Sequence, residues 1–537
     1  MNKKMVMILL VILMLGAAIR LYHPTFRSLW GDEIDALFRT YNFAAHTYHY
    51  ERINPMLTVK TSIIEPLKLF YPPLFSVCLG LWAWLFGVGE YSLRLLSILF
   101  AIASLPLVYL LARRIFDEGT AILSVFLVSI SGMAIMFSQE VRTYSLLMLL
   151  SIISALFFWE LISGKRNPLN IVAYIISTIL LALSHAFGAV AIMAQVFYVV
   201  MGLVRNRKTN DFISIALIQG FIALCIAPLY IYIFFTGMKM LSSGMDLPYM
   251  VFPPYLRLFL LFFALSIGET VAPWNFWVVI PAGLAFGYLF LRLFRWWRGK
   301  GVFFLLSLCL FPIIFAVLFA SFTLPKYLII ALPFYLILIG RSLVEIDYRS
   351  VRIFLVMVIC AVQAVAIVNY FSLKEYHNSN RIEPWRKVCS MIKENYRKGD
   401  IIIASNYEII YRELQYYLNT LPKSDHPVFV AHFRAMSEVN NANDGNYPIP
   451  AIDIDHLRSL KNKRLWLVTH IQDKRKLSAT DLKELRVELE KGFKLVRTDN
   501  YVPYEETLVS KLPIKRHLPG ESRIRVDLYV NRDIGVF

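Results

Sequence analysis

Cysteine is scarce in this chain. There are five in 537 residues; Cys78, Cys225, Cys309 and Cys360 sit in apolar runs and only Cys389 lies in a polar stretch. That composition excludes a disulfide framework, and no CxxC pair offers a zinc site. Charge is also sparse, at 17% of residues, and acid is scarcer than base: 37 Asp and Glu against 55 Lys and Arg, a net charge of +18. The basic residues fall between apolar runs rather than in a tract interleaved with exposed aromatics, which argues against nucleic acid as a partner. Neither a P-loop nor a nucleotide-sugar loop occurs. No internal repeat is visible, which counts against the inverted-repeat transporter folds.

What the chain has in abundance is apolar surface. Hydrophobic residues make up 58% and the mean hydropathy is +0.57, well above globular composition, so the expected class is a polytopic α-helical membrane protein. Met1-Asn2-Lys3-Lys4 precede an apolar run to Leu21 that lacks an A-x-A-like cleavage site. It reads as an uncleaved first span with Lys3 and Lys4 inside. Basic clusters at 112–114, 164–166, 205–208, 295–300 and 348–352 mark the inner loops. Further spans at roughly 94–112, 119–138, 142–162, 169–184, 186–204, 212–235, 274–294, 302–320, 327–345 and 352–372 keep the alternation, giving about eleven in all. The runs 72–88 and 256–270 are too short and are expected to re-enter, break or lie at the interface. The expected setting is the plasma or inner membrane, with a cytoplasmic N-terminus, affinity for membrane lipids and an extracytoplasmic tail.

The domains expected are a transmembrane domain over 1–372, containing a first outer loop at 23–71, and a soluble α/β domain over 373–537. In the tail, helices are predicted at 385–396, 409–418 and 479–491, and strands at 400–404, 427–430, 465–468 and 524–530. In the outer loop, Ile34, Leu37, Phe38, Tyr41, Ala44 and Ala45 recur at helical spacing, which predicts a helix lying on the membrane surface with Ser28 as its cap.

That helix begins with Trp30-Gly31-Asp32-Glu33-Ile34-Asp35, three carboxylates within four residues beside a bilayer. The same outer rim collects Arg94, Glu140, Arg142, Tyr144, His185, Lys326 and Tyr327. An ionised group inside a bilayer costs about 2.5–3.5 kcal/mol even on the lenient insertion scale, so charges at span ends are paired, snorkelling or functional. Each has an ordinary reading. Arg94 and Arg142 can pair with Glu90 and Glu140, His185 can be a turn histidine, and Asp32 can stabilise a helix N-terminus. Those readings do not explain why cations and carboxylates converge. Transfer from a lipid-linked phosphosugar would use both, with cations on the phosphate and a carboxylate taking a proton from the acceptor.

The motifs Trp30-Gly31-Asp32-Glu33, Tyr71-Pro72-Pro73-Leu74, Glu90 through Ser97, Ser138 through Tyr144, Ser184-His185-Ala186-Phe187-Gly188 and Lys326 through Pro333 resemble, in order and spacing, the family 39-type glycosyltransferases of the GT-C superfamily. These are relatives of the protein O-mannosyltransferases and the lipid A aminoarabinose transferases. The resemblance covers about residues 5–345, and Glu383 through Asp400 looks like the start of a bacterial-type extracytoplasmic domain. It implies an inverting hexosyl- or pentosyltransferase that takes a polyprenyl-phosphate sugar to a protein, lipid or glycan acceptor on the outer face. By this match Asp32 and Glu33 are the acidic pair, Asp32 the general base or the group that orients the acceptor, and Lys326 is a phosphate contact. From their place on the rim, Arg94 or Arg142 is expected at the phosphate beside Lys326, Glu33 as helper or acceptor hydrogen-bond partner, and Glu140, Tyr144, His185 and Tyr327 at the substrates. Many relatives have Arg where this chain has Lys326, which lacks the bidentate fork. Adjacent carboxylates such as Asp32 and Glu33 can hold Mg²⁺ but make a poor cage, so no metal or other cofactor is expected. The alternatives are a flippase of lipid-linked sugars, which would carry charges near span midpoints where this chain has almost none, and an inactive scaffold.

Overall fold

The computed structural model describes residues 3–44, 72–205, 209–242, 253–319, 325–374, 379–404, 408–418, 428–431, 451–452, 464–471, 486–487, 489–501 and 523–531. The chain divides into two compact units, Met1–Pro24 with Ile64–Tyr376, and Thr25–Ile63 with His377–Phe537. Of the segment 23–71, the described residues from Thr25 to Ala44 group with the tail.

The first unit is helical throughout: α1 (Lys3–Leu21), α3 (Leu74–Phe86), α4 (Glu90–Ile115), α5 (Glu118–Ile130), α6 (Gly132–Ser138), α7 (Tyr144–Ile162), α8 (Pro168–Ser184), α9 (Ala186–Arg205), α10 (Thr209–Ser242), α11 (Pro254–Ile267), α12 (Phe276–Arg292), α13 (Lys300–Phe319), α14 (Leu332–Val344) and α15 (Arg349–Phe371). Among the described residues, eight helices are long and apolar enough to cross a membrane. The expected span 119–138 is not one straight rod: α5 and α6 meet at Ser131 with a 58° bend, and make a ninth crossing if taken together. Two further expected spans form shorter helices, α8 of 17 residues and α14 of 13 residues, the latter preceded by a 3₁₀ turn at Pro325–Ile330. The two doubtful runs form α3 and α11, of 13 and 14 residues, both below span length.

A bend inside a bundle leaves backbone groups without helical partners, and in an apolar surrounding each must be satisfied. Fully buried Arg20 supplies donors: Nη1 bonds the carbonyls of Gly16 (2.9 Å) and Ser129 (3.0 Å), and Nη2 that of Val128 (3.0 Å). The last two carbonyls lie at the negative end of α5, where a guanidinium is also favoured by the helix dipole. Gly16 permits the approach, since a Cβ there would lie 2.7 Å from Leu105 Cδ1 and from Ser129 Oγ. On the other side of the bend the Gly132 N–H donates to Gln363 Oε1 (2.8 Å), and Gln363 Nε2 donates to the Ser266 carbonyl (2.7 Å). Gly268, at φ +99°, turns the chain beside Met133.

The second unit holds α2 (Gly31–Ala44), α16 (Trp385–Asn395), α17 (Glu408–Leu418) and a six-stranded sheet: β1 (Ile401–Ala404), β2 (Val428–Ala431), β3 (Ala451–Ile452), β4 (Arg464–Ile471), β5 (Phe493–Tyr501) and β6 (Arg523–Asn531). The order is β3-β2-β1-β4-β6-β5, parallel from β3 to β4 and antiparallel at β6 and β5. Ile401, Ile403, Leu465, Leu467, Leu489, Phe493 and Tyr529 form a core on one face. Sequence reading missed β3, which is two residues long, and β5, a polar, mostly exposed edge strand without a clean apolar alternation. The predicted helix 479–491 falls largely outside the described residues.

Helix α2 departs from expectation. Ile34 and Leu37 of its apolar face are buried, and α2 packs on α17, so at these two positions the face meets protein. The side chains of Phe38, Tyr41 and Ala44, and all of Ala45, lie outside the described set.

Replacing Arg20 with Met would leave the carbonyls of Val128 and Ser129 without their donor at equal bulk. We expect a loss of about 3 kcal/mol or more, since hydrogen bonds to a charged group are worth roughly 1.5–3 kcal/mol each. The readout is a lowered melting temperature of the detergent-solubilised protein; an unshifted melt contradicts the role.

Candidate active site

The acidic cluster is built around a helix start. The Trp30 carbonyl accepts from the N–H groups of Glu33 (2.8 Å) and Ile34 (3.0 Å), which makes Trp30 the cap residue of α2. Glu33 is fully buried, and its Oε2 reaches back to the Trp30 N–H at 3.3 Å, the return half of a capping box. Ser28, expected to cap, instead accepts from the Arg386 N–H with its Oγ (3.1 Å). Arg386 also donates to the carbonyls of Thr25 (3.0 Å) and Arg27 (3.3 Å). Buried Arg381 places its guanidinium 5.8 Å from the centre of the Trp30 ring. Asp35 is ion-paired with Arg412 at 2.8 Å. Asp32 stands in the first turn of α2, partly exposed.

In the other unit, the turn between α6 and α7 organises the rim. Gln139 is buried and donates through Nε2 to the carbonyls of Arg20 (2.8 Å) and Tyr22 (2.9 Å), while its Oε1 accepts from the Tyr370 hydroxyl (3.1 Å). It ties the C-terminal ends of α1 and α15 to the turn. Glu140 beside it is fully buried. The Arg142 N–H donates to the Glu140 carbonyl (2.8 Å), and Thr143 Oγ1 donates to the Ser184 carbonyl (2.8 Å), which brings the end of α8 and His185 alongside.

Five of the predicted residues come together here. The Tyr144 ring lies 6.4 Å from that of His185, which is 5.2 Å from the Tyr327 ring. Phe187 stacks on Tyr327 at 5.0 Å. Lys326 is mostly buried, with Nζ 5.8 Å and 5.7 Å from the ring centres of Tyr144 and Tyr327, within cation–π range. Burial first, and then the positive charges of Arg142 and Lys326, hold the His185 imidazole below its ordinary pKa. Its Nδ1 accepts from the Phe187 N–H (3.0 Å), so the neutral ring carries its proton on Nε2. The arrangement is a cationic, aromatic-walled patch that includes the neutral His185 Nε2–H donor, suited to an anionic headgroup.

Arg94 is placed differently. It is fully buried, and its Nη1 donates to the Pro24 carbonyl at 2.7 Å, beyond the end of α1. Asp32 and Glu33 belong to the other compact unit. Among the described residues, no three His, Cys, Asp or Glu side chains gather as a metal cage. Sequence reasoning missed Arg20, Gln139 as a clasp, Arg412 and buried Glu269. Arg20 had a signal, since reading Lys3 and Lys4 as inside puts its end of the first span outside, where a cation runs against the positive-inside bias.

Similarity searches bear on this geometry. The fold is that of the GT-C membrane glycosyltransferases. Apo ArnT from Cupriavidus metallidurans aligns with TM-score 0.59 at 14% identity, covering 96% of this chain and 97% of that one. The same protein bound to undecaprenyl phosphate aligns with TM-score 0.54 at 13% identity, over 98% of each chain. Within that class, residues 71–232, less than half the chain, match the family model of dolichyl-phosphate-mannose-protein mannosyltransferases. The matched range contains Arg94, Glu140, Arg142, Tyr144 and His185. No curated protein matches the chain.

The depressed His185 pKa means that the unfolded chain takes up the proton first as pH falls. The stability tied to the neutral ring is whole above about pH 6.5 and is lost on acidification below it. The wild-type melting temperature should therefore fall more steeply between about pH 7 and 4.5 than that of His185→Gln; parallel profiles would contradict the assignment.

Proposed function

We propose that this membrane protein transfers a sugar from a polyprenyl-phosphate donor to an acceptor on the extracytoplasmic face, with inversion at the sugar. The carrying observation is the patch in which Lys326 and Arg142 flank Tyr144, His185 and Tyr327 inside a GT-C fold. ArnT, which shares that fold, binds undecaprenyl phosphate. The basic loops support a cytoplasmic N-terminus and an outward tail.

In this reading the donor phosphate sits against Lys326 and Arg142, and His185 donates from Nε2 to a phosphate or sugar oxygen. The acceptor hydroxyl or amine attacks the anomeric carbon from the side opposite the phosphate. As that bond forms, the carbon–oxygen bond to phosphate breaks and polyprenyl phosphate leaves, its added negative charge met by the two cations. Asp32 takes the acceptor proton. We assign the base to Asp32, the carboxylate that the sequence resemblance favours, and to Glu33, which reaches back to the Trp30 N–H, the task of holding the turn that presents it. Arg94 serves by anchoring the chain at Pro24.

Purified protein in proteoliposomes would be offered a panel of radiolabelled undecaprenyl-phosphate hexoses and pentoses with cell-envelope acceptors. Asp32→Asn should cut kcat by about 10²–10⁴-fold while donor binding persists. Lys326→Met should chiefly weaken donor binding, and Lys326→Arg should retain it. Unchanged transfer by Asp32→Asn would remove the base from the proposal.

A further inference from the structure

Resting on that reading, we propose that Arg412 is a positioning residue. Its ion pair with Asp35, together with the Tyr417 hydroxyl, sets the orientation of α2 and thereby aims Asp32.

The attachment has two points. Tyr417 Oη accepts from the Leu29 N–H at 2.6 Å, just before the cap of α2, and Arg412 Nη1 meets Asp35 Oδ1 at 2.8 Å, one turn inside it. Both partners come from α17, and the two points bracket Asp32 in sequence. Asp35 follows Asp32 by three residues, so the two share a face of the helix. A pivot at Leu29 alone would leave α2 able to rotate about its axis, and a second bond on the Asp32 face removes that freedom. Leu29, Ile34 and Leu37 are fully buried or nearly so and provide adhesion. Apolar packing is non-directional, so it does not fix rotation to the tolerance proton transfer demands. The pair is largely shielded, with side chains 15% and 20% exposed. Such shielded pairs add little net stability, and their best attested use is to fix a register. The same stretch is steadied upstream by Arg386 on Ser28, Thr25 and Arg27. Helix α17 of the tail thus supplies the frame on which the acidic helix is mounted.

The test uses the full chain in proteoliposomes with whichever undecaprenyl-phosphate sugar of the panel the wild type consumes. Arg412→Ala and Asp35→Asn should each lower kcat per folded molecule at least about tenfold, since small misplacements of a catalytic group cost up to about 10²-fold, with the donor KM within about twofold of wild type. Arg412→Lys should fall between, and the exchange Asp35→Arg with Arg412→Asp should recover most of the loss. Hydrogen exchange over Gly31–Leu37 should quicken in Arg412→Ala. A purely stabilising pair would lower the folded yield while kcat per folded molecule stayed constant; that result, or retained kcat in both single variants, overturns the proposal. A wild type inert toward the whole panel overturns the transferase reading itself, and the purpose assigned to Arg412 with it.

Discussion

A backbone carbonyl inside an apolar bundle has no water to turn to, and the geometry of the membrane unit follows from how that demand is met at the bend between α5 and α6. Arg20 closes the end of α5, and Gln363 holds the first N–H of α6 while clasping the end of α11. With the bend fixed, α6 delivers Gln139 to the C-terminal ends of α1 and α15, and the turn after it places Arg142 and Tyr144 beside His185 and Lys326. The cationic patch is downstream of a structural arginine buried among helices.

The other unit solves a parallel problem with its three carboxylates. Helix starts need acceptors, and Glu33 serves one by folding back on Trp30. Asp35 is engaged by a cation from α17. Asp32 stands between them in the first turn. The stretch that carries the acidic cluster is held by residues some 350–390 positions away: Arg381 on Trp30, Arg386 on Ser28, Arg412 on Asp35 and Tyr417 on Leu29.

Much of this was legible beforehand where the signal is local. Nine of the expected spans correspond to long helices or the bent pair, and the tail strands at β1, β2, β4 and β6 follow from apolar runs. Local signals failed where a distant partner decides. Ser28 has the chemistry of a cap, but Arg386 claims its hydroxyl. The apolar face of α2 suits a membrane surface equally well until α17 covers it. The run 119–138 is apolar enough for a straight helix, and its bend depends on Arg20 and Gln363 arriving from other helices. β5 is an edge strand whose pairing with β6, not its own composition, makes it a strand.

The sequence by itself determined the class of protein, because a bilayer-length apolar run and the basic loops between such runs are read directly against the solvent. It also determined which charged residues stand at span ends, and so which groups could do chemistry. Only the tertiary structure decided which of them meet: it gathered Arg142, Tyr144, His185, Lys326 and Tyr327, brought Arg94 to the Pro24 carbonyl, folded Glu33 back on Trp30 and paired Asp35 with Arg412. The reason is that partnership is set by distance in space, and for a buried polar group the partner, more than the residue type, fixes what the group can do.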